Sequence, residues 1–224
     1  MINGAVVFDF DGVIANSEPL HLRAFQRVLR DALGLELTAA AYFQKYLGFD
    51  DEDAFRTFGA DHSVWLGTAE VATLVNRKAV VFATLLEGDI TFPGAVECIR
   101  RMHTIAPLAV ASGALRGDIE PVLVAAGLRS CFEEVVAAED AAHGKPAPDL
   151  YLRAIERLTD RRLVAPGARS VAIEDSKWGI QAAKAAGLQC IAVAQTYPSA
   201  ALTAADIVVP DLTYVTIDLI RSLS

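Results

Sequence analysis

Six short apolar runs constrain this chain more than any other feature of its sequence. They are AVVFDF (5–10), PLAVAS (107–112), EEVVAAED (133–140), SVAIED (170–175), QCIAVA (189–194) and DIVVPD (206–211). Each is largely continuous in apolar residues rather than alternating, which is the pattern of a strand buried on both faces. Helical stretches at 94–103, 117–126, 147–158 and 176–186 separate most of them, the last closed by Gly187. Strands alternating with helices in this way predict a parallel sheet covered on both sides.

One segment breaks the alternation. From Ser17 to about Glu87 the pattern is helical, beginning with SEPLHLRAFQRVLRDAL and continuing through 38–46, 51–58 and 64–86. Ser17 and Glu18 supply the helix-start chemistry of a capping residue and an acid in the first turn. The expected organisation is an α/β core over 1–15 and 88–224, with a helical cap domain over 16–87 inserted after the first strand.

The composition suits a large buried interior: 53% of the 224 residues are hydrophobic. A net charge of −8 without a basic stripe argues against nucleic acid or an anionic membrane as partner. The apolar runs are too short to span a bilayer, and the N-terminus reads straight into a strand rather than a targeting segment. Three widely spaced cysteines in apolar surroundings, Cys98, Cys131 and Cys190, suit reduced thiols in a cytoplasmic protein. Oligomeric state is left open.

Open parallel sheets bind ligands beyond the carboxyl ends of their strands. There this sequence places Asp9, Asp11 and Gly12 after the first strand, and Ser112 and Gly113 after the second. Lys145, in HGKPAPD, follows the third, and Glu174 and Asp175 close the fourth. Carboxylates from two strands can hold Mg²⁺, which takes oxygen ligands and keeps waters for a phosphate to replace. A lysine, a hydroxyl and the open amides of a Ser-Gly turn suit a phosphoryl group.

The pieces DxDGV (9–13), the Ser of VASG (109–113), the Lys of GKPAPDLY (144–151) and IEDSKWGIQAAKAAG (173–187) resemble, in order, the motifs of the haloacid dehalogenase superfamily. The helical insert looks like the type 1 cap of the phosphoglycolate phosphatase and β-phosphoglucomutase branch. The resemblance implies a Rossmann-like, doubly wound core. It makes Asp9 a nucleophile forming an aspartyl-phosphate, and Asp11 the acid for the leaving oxygen and then the base for water. It gives Mg²⁺ the ligands Asp9, Asp175 and the backbone carbonyl of Asp11, with Glu174 direct or through water. Lys145 would bridge Asp9 and phosphate, while Ser112 and Gly113 bind phosphate oxygens. An acid at position 11 favours phosphate esters over carbon–halogen bonds.

Substrate choice falls to the cap, through His21, Lys78 and the stretch Gly48, Phe49, Asp50, Asp51. Members acting as mutases carry an arginine in that turn to grip a second phosphate. An aspartate there would repel one, although Lys78 matches a lysine those enzymes also use. The implied activity is Mg²⁺-dependent hydrolysis of a small phosphorylated metabolite, a sugar or organic-acid phosphate. A sugar-phosphate mutase and a catalytically silent phosphometabolite-binding protein are the alternatives.

Overall fold

A computed structural model of the chain describes residues 2–47, 49–86, 88 and 90–224. Along the chain, β1 (Val6–Phe8) is followed by α1 (Glu18–Leu33), the short α2 (Ala39–Ala41), α3 (Asp51–Asp61) and α4 (Thr68–Leu85). Then come α5 (Ala95–His103), β2 (Leu108–Ala111), α6 (Arg116–Ala125), β3 (Glu134–Val136) and α7 (Asp149–Asp160). The chain finishes with β4 (Val171–Glu174), α8 (Lys177–Ala185), β5 (Gln189–Val193), β6 (Ile207–Val209) and α9 (Ile217–Leu223).

All six strands pair in parallel, in the order β3-β2-β1-β4-β5-β6. This is the doubly wound, Rossmann-like order, whose topological switch point falls between β1 and β4. Val6 sits opposite Leu108 on one side and Val171 on the other, so β1 is central and buried throughout. Small residues let helices close on the sheet. Ala109, Ala111, Ala172 and Ala192 pack with Leu150, Tyr151, Ala154 and Ile180 of α7 and α8 in one buried cluster.

Contacts divide the chain into two units, Met1–Asn16 with Asp89–Ser224, and Ser17–Gly88. The first holds the sheet and α5–α9. The second is helical and has its own core of Leu22, Phe25, Leu29, Phe55, Phe58, Val71 and Leu74. In α1 the buried residues recur at helical spacing, Pro19 lies in the first turn, and Gly34 closes the helix at φ 67.

The segment expected as one helix over 38–46 is instead α2 followed by a π-helical turn at Tyr42–Tyr46, closed by Leu47 N–H on Tyr42 O at 3.0 Å. Both tyrosine rings are buried and both hydroxyls are tied, Tyr42 to Glu18 and Tyr46 to Asp61, each at 2.6 Å. The helix expected from residue 64 starts at Thr68, where the Gly67 N–H donates to Glu70 Oε2 at 2.8 Å. Among the described residues, no helix is long and apolar enough to cross a membrane.

Candidate active site

The carboxyl ends of β1, β2 and β4 are neighbours in the sheet, so the residues that follow them meet at one edge. Asp9 continues β1, its N–H donating to Ile173 O of β4 at 2.9 Å. The chain then turns sharply at Gly12, which adopts φ +79. A side chain there would be strained by that angle and would also collide with the site, since a Cβ would lie 2.0 Å from Asp175 Oδ2 and 2.6 Å from Thr196 Oγ1. The glycine after the two aspartates therefore serves the turn and the close approach of Asp175 together.

Asp9 is 7% exposed, Asp175 4% and Glu174 0%. One oxygen of each of the three lies within 4.8 Å of the others. Lys145, from the loop after β3, joins them: its ammonium donates to Asp9 Oδ1 at 2.7 Å and to Glu174 Oε1 at 2.6 Å. Burial pushes the Asp9 carboxyl up to about 7, Lys145 opposing and Glu174 reinforcing the shift. Asp175 is driven well above the ordinary carboxylate range by burial and then by the charges of Glu174 and Asp9. Burial opposes the charge of Lys145 too, but Asp9 and Glu174 outweigh it and hold its pKa above the usual lysine value.

Three buried carboxyl groups are met by one ammonium, and burial and mutual repulsion resist their full ionisation. This all-oxygen donor set fits a hard dication such as Mg²⁺. Within the set the three acids are not equivalent. Glu174 Oε1 accepts from Lys145 and from the Tyr151 hydroxyl at 2.9 Å. Its Oε2 accepts from the N–H groups of Asp175 and Ser176 and from Ser176 Oγ, at 3.0, 3.1 and 3.2 Å. Five donors on two oxygens engage Glu174 more fully than its neighbours, which favours the oxygens of Asp9 and Asp175 for a cation. The side chain of Asp11 is not part of the cluster, although its charge raises the Asp9 pKa.

Ser112 leaves β2 almost wholly buried, its Oγ accepting from Ala114 N–H at 3.0 Å, so its own hydroxyl proton can turn to an anion. Gly113 follows in the same turn, and a Cβ there would meet nothing within 4 Å. Gly179 shows the opposite requirement: its Cβ would fall 1.7 Å from Glu174 Oε1, so only glycine lets the start of α8 close over that carboxylate.

Three contributors escape sequence reasoning. Tyr151 lies within the GKPAPDLY stretch, yet only the fold brings its hydroxyl to Glu174. The side chain of Thr196, after β5, opposes the rise in the Asp175 pKa. Gln195 Nε2 donates to the carbonyls of Gly12 and Val13 at 3.0 and 3.3 Å, bracing the turn after β1. The Thr and Gln sit in QTYP, which carries no motif signal of its own.

In the helical unit, the residues expected to select substrate separate into two groups. Lys78 is 3% exposed and donates to Asp51 Oδ1 at 2.6 Å, and its Nζ lies 2.7 Å from His21 Nδ1. Its ammonium also lies 4.7 Å from the centre of the Phe25 ring, and His21 stacks on Phe82 at 4.3 Å. Asp51, expected to repel a second phosphate, is thus ion-paired with Lys78, the lysine expected to favour one. Asp50 caps α3, its Oδ1 accepting from Asp53 N–H at 2.8 Å, and Phe49 is exposed. Gly48 lies outside the described residues.

A doubly wound parallel sheet with buried carboxylates and a lysine at its switch point can receive a dication and a phosphoryl group. Residues 4–187 match the model of the haloacid dehalogenase-like hydrolases, and the chain belongs to that family. Among its relatives is the fructose-1-phosphate phosphatase YqaB of Escherichia coli K12, 30% identical over 84% of this chain and 95% of that one. Protein CbbY of Rhodobacter capsulatus is 32% identical over 93% of each chain. The solved structure of a CbbY variant from Rhodobacter sphaeroides with xylulose-(1,5)bisphosphate is similar over 98% of this chain and 99% of that one, with 28% identity and a TM-score of 0.83. By enzyme class the chain is a phosphoric monoester hydrolase.

Proposed function

We propose that this protein is a Mg²⁺-dependent phosphatase of a small phosphorylated sugar or related metabolite, acting in the cytoplasm through a phosphorylated Asp9. The observation that carries the reading is the buried Lys145 ammonium held between Asp9 and Glu174, with Asp175 beside them. Relatives named as phosphatases of sugar phosphates support the substrate class. Three free, buried cysteines suit a reducing compartment.

In the reaction, an Asp9 oxygen attacks phosphorus and the bond to the leaving oxygen breaks. Asp11 donates its proton to that oxygen, so the product leaves as a neutral alcohol. Asp11, now a carboxylate, takes a proton from water as the water attacks the aspartyl-phosphate, releasing inorganic phosphate and regenerating Asp9. Lys145 holds Asp9 in place and offers positive charge to the transferring group, while Ser112 and the amide of Gly113 bind its oxygens. Asp9 and Asp175, with the Asp11 carbonyl, would hold Mg²⁺, which when bound would supply further neutralisation of charge in the transition state.

The helical unit is the substrate-selecting element in this reading. Its Lys78 is already neutralised by Asp51, which favours a substrate whose non-reacting part is an uncharged polyol over a bisphosphate. The test is phosphate release from a panel with Mg²⁺: fructose 1-phosphate, other sugar phosphates, phosphoglycolate, a sugar bisphosphate and pyrophosphate. Asp9→Asn should reduce turnover about a thousandfold or more while the protein stays folded. Near-normal turnover in that variant would overturn the nucleophile. Conversion of β-glucose 1-phosphate to glucose 6-phosphate without net phosphate release would make the protein a mutase instead.

A further inference from the structure

Tyr151 is fully buried at the start of α7, six residues after Lys145 in the chain. Its hydroxyl donates to Glu174 Oε1 at 2.9 Å, and the centre of its ring lies 5.1 Å from Lys145 Nζ. The same Glu174 oxygen accepts from Lys145 at 2.6 Å. Glu174 cannot turn away to relieve either bond. Its other oxygen is held by the Asp175 and Ser176 N–H groups and the Ser176 hydroxyl, and Gly179 packs against the carboxylate. A phenylalanine would fill the same space, so burying a phenol here is accounted for by the carboxylate it meets.

We propose that Tyr151 is a positioning residue for Lys145, holding its ammonium against Asp9 through Glu174 and through the face of its own ring. The lysine side chain has four rotatable bonds, and its head is a point charge with no preferred plane. A loop lysine of that kind needs fixing from outside. α7 supplies the phenol and ring, α8 fixes the carboxylate, and the two meet on one ammonium. The inference rests on the phosphatase reading, in which the place of that charge beside Asp9 matters to the rate.

Two variants separate the contributions: Tyr151→Phe keeps the ring and loses the hydroxyl, and Tyr151→Leu loses both. With p-nitrophenyl phosphate as the probe, Tyr151→Phe should lower kcat about tenfold and Tyr151→Leu about a hundredfold, with KM changed less than about twofold. A lysine-labelled sample gives a second readout that does not need activity. The ammonium signal of Lys145, assigned by its loss in Lys145→Met, should be sharp in the wild-type protein and broadened by exchange in folded Tyr151→Phe. An unchanged kcat and an unchanged Lys145 signal in Tyr151→Phe would overturn the proposal, as would a loss of rate matched by loss of folded protein alone. A wild-type protein that releases no phosphate, but whose Lys145 signal depends on Tyr151, would refute the phosphatase reading and uphold the positioning role.

Discussion

Gly12 is where backbone conformation and chemistry are hardest to separate. Its positive φ and the 2.0 Å approach of Asp175 Oδ2 both exclude a side chain. Gly12→Ala should therefore cost about 2 kcal/mol or more in a denaturant titration, with a fall in phosphate release beyond what lost stability explains, because Asp175 must move. A variant with normal stability and turnover would show the turn to be more compliant than this geometry allows. The turn was legible from the sequence, since glycine after two aspartates marks one. The contact with Asp175 was not, because it joins residues from β1 and β4 that are far apart in the chain. Glu174 and Tyr151 teach the same point. The five donors on the Glu174 carboxylate come from residues the sequence does not mark as its partners, and a tyrosine in an amphipathic helix reads as packing until its hydroxyl finds a partner.

At the scale of elements, all six strands lie inside the runs that suggested them, each shorter by a residue or more, β5 at its C-terminal end only. Continuous apolar runs are reliable because a strand buried on both faces has no other way to be written. α9 went unread: it has seven residues, and its sequence signal is little more than Thr216, whose side chain accepts from Leu219 N–H. The ion pairs that tie elements together were also invisible. Asp140, just after β3, joins α6 through Arg116 and α7 through Arg157 at 2.6 Å, and its carboxylate also accepts from Ala137 N–H. Burial alone would raise its pKa, but the Arg157 guanidinium, the Ala137 N–H and Arg116 outweigh it and hold the carboxyl below its ordinary value of 3.8. A lowered folded-state pKa contributes stability above the unfolded value that is lost as pH falls through the folded one. Asp140→Asn should thus be destabilised by about 1–3 kcal/mol at neutral pH. The deficit should shrink below pH 3.8 as the wild-type carboxylate protonates; a deficit independent of pH would assign it to packing. In the helical unit, Asp51→Asn leaves the buried Lys78 ammonium without a negatively charged partner. It should cost about 2–4 kcal/mol by thermal or urea unfolding, and a neutral result would mean that the ammonium finds water.

The whole molecule concentrates its chemistry in one of its two units, and within that unit at the switch point of the sheet. Five separate segments, those that follow β1 to β5, supply the described site, and the order of the strands makes their ends neighbours. The cluster they form repels itself: three buried carboxylates face one ammonium, and burial together with their mutual charge raises the pKa values of Asp9 and Asp175. A dication that binds only the folded chain should stabilise it by mass action, about 2.7 kcal/mol at a hundred times its Kd. Protein stripped with a chelator should therefore melt below the same protein in Mg²⁺, and release no phosphate until the metal is restored. Asp175→Asn should lose most of the thermal gain because it removes a ligand, whereas a substitution of exposed Asp218 should keep all of it. Ca²⁺ separates binding from catalysis. Its longer and looser coordination suits the same oxygens but not the in-line geometry, so it should raise Tm without supporting turnover. An equal Mg²⁺ gain in the Asp175→Asn protein would place the cation elsewhere, and full turnover in excess chelator would remove it from the reaction.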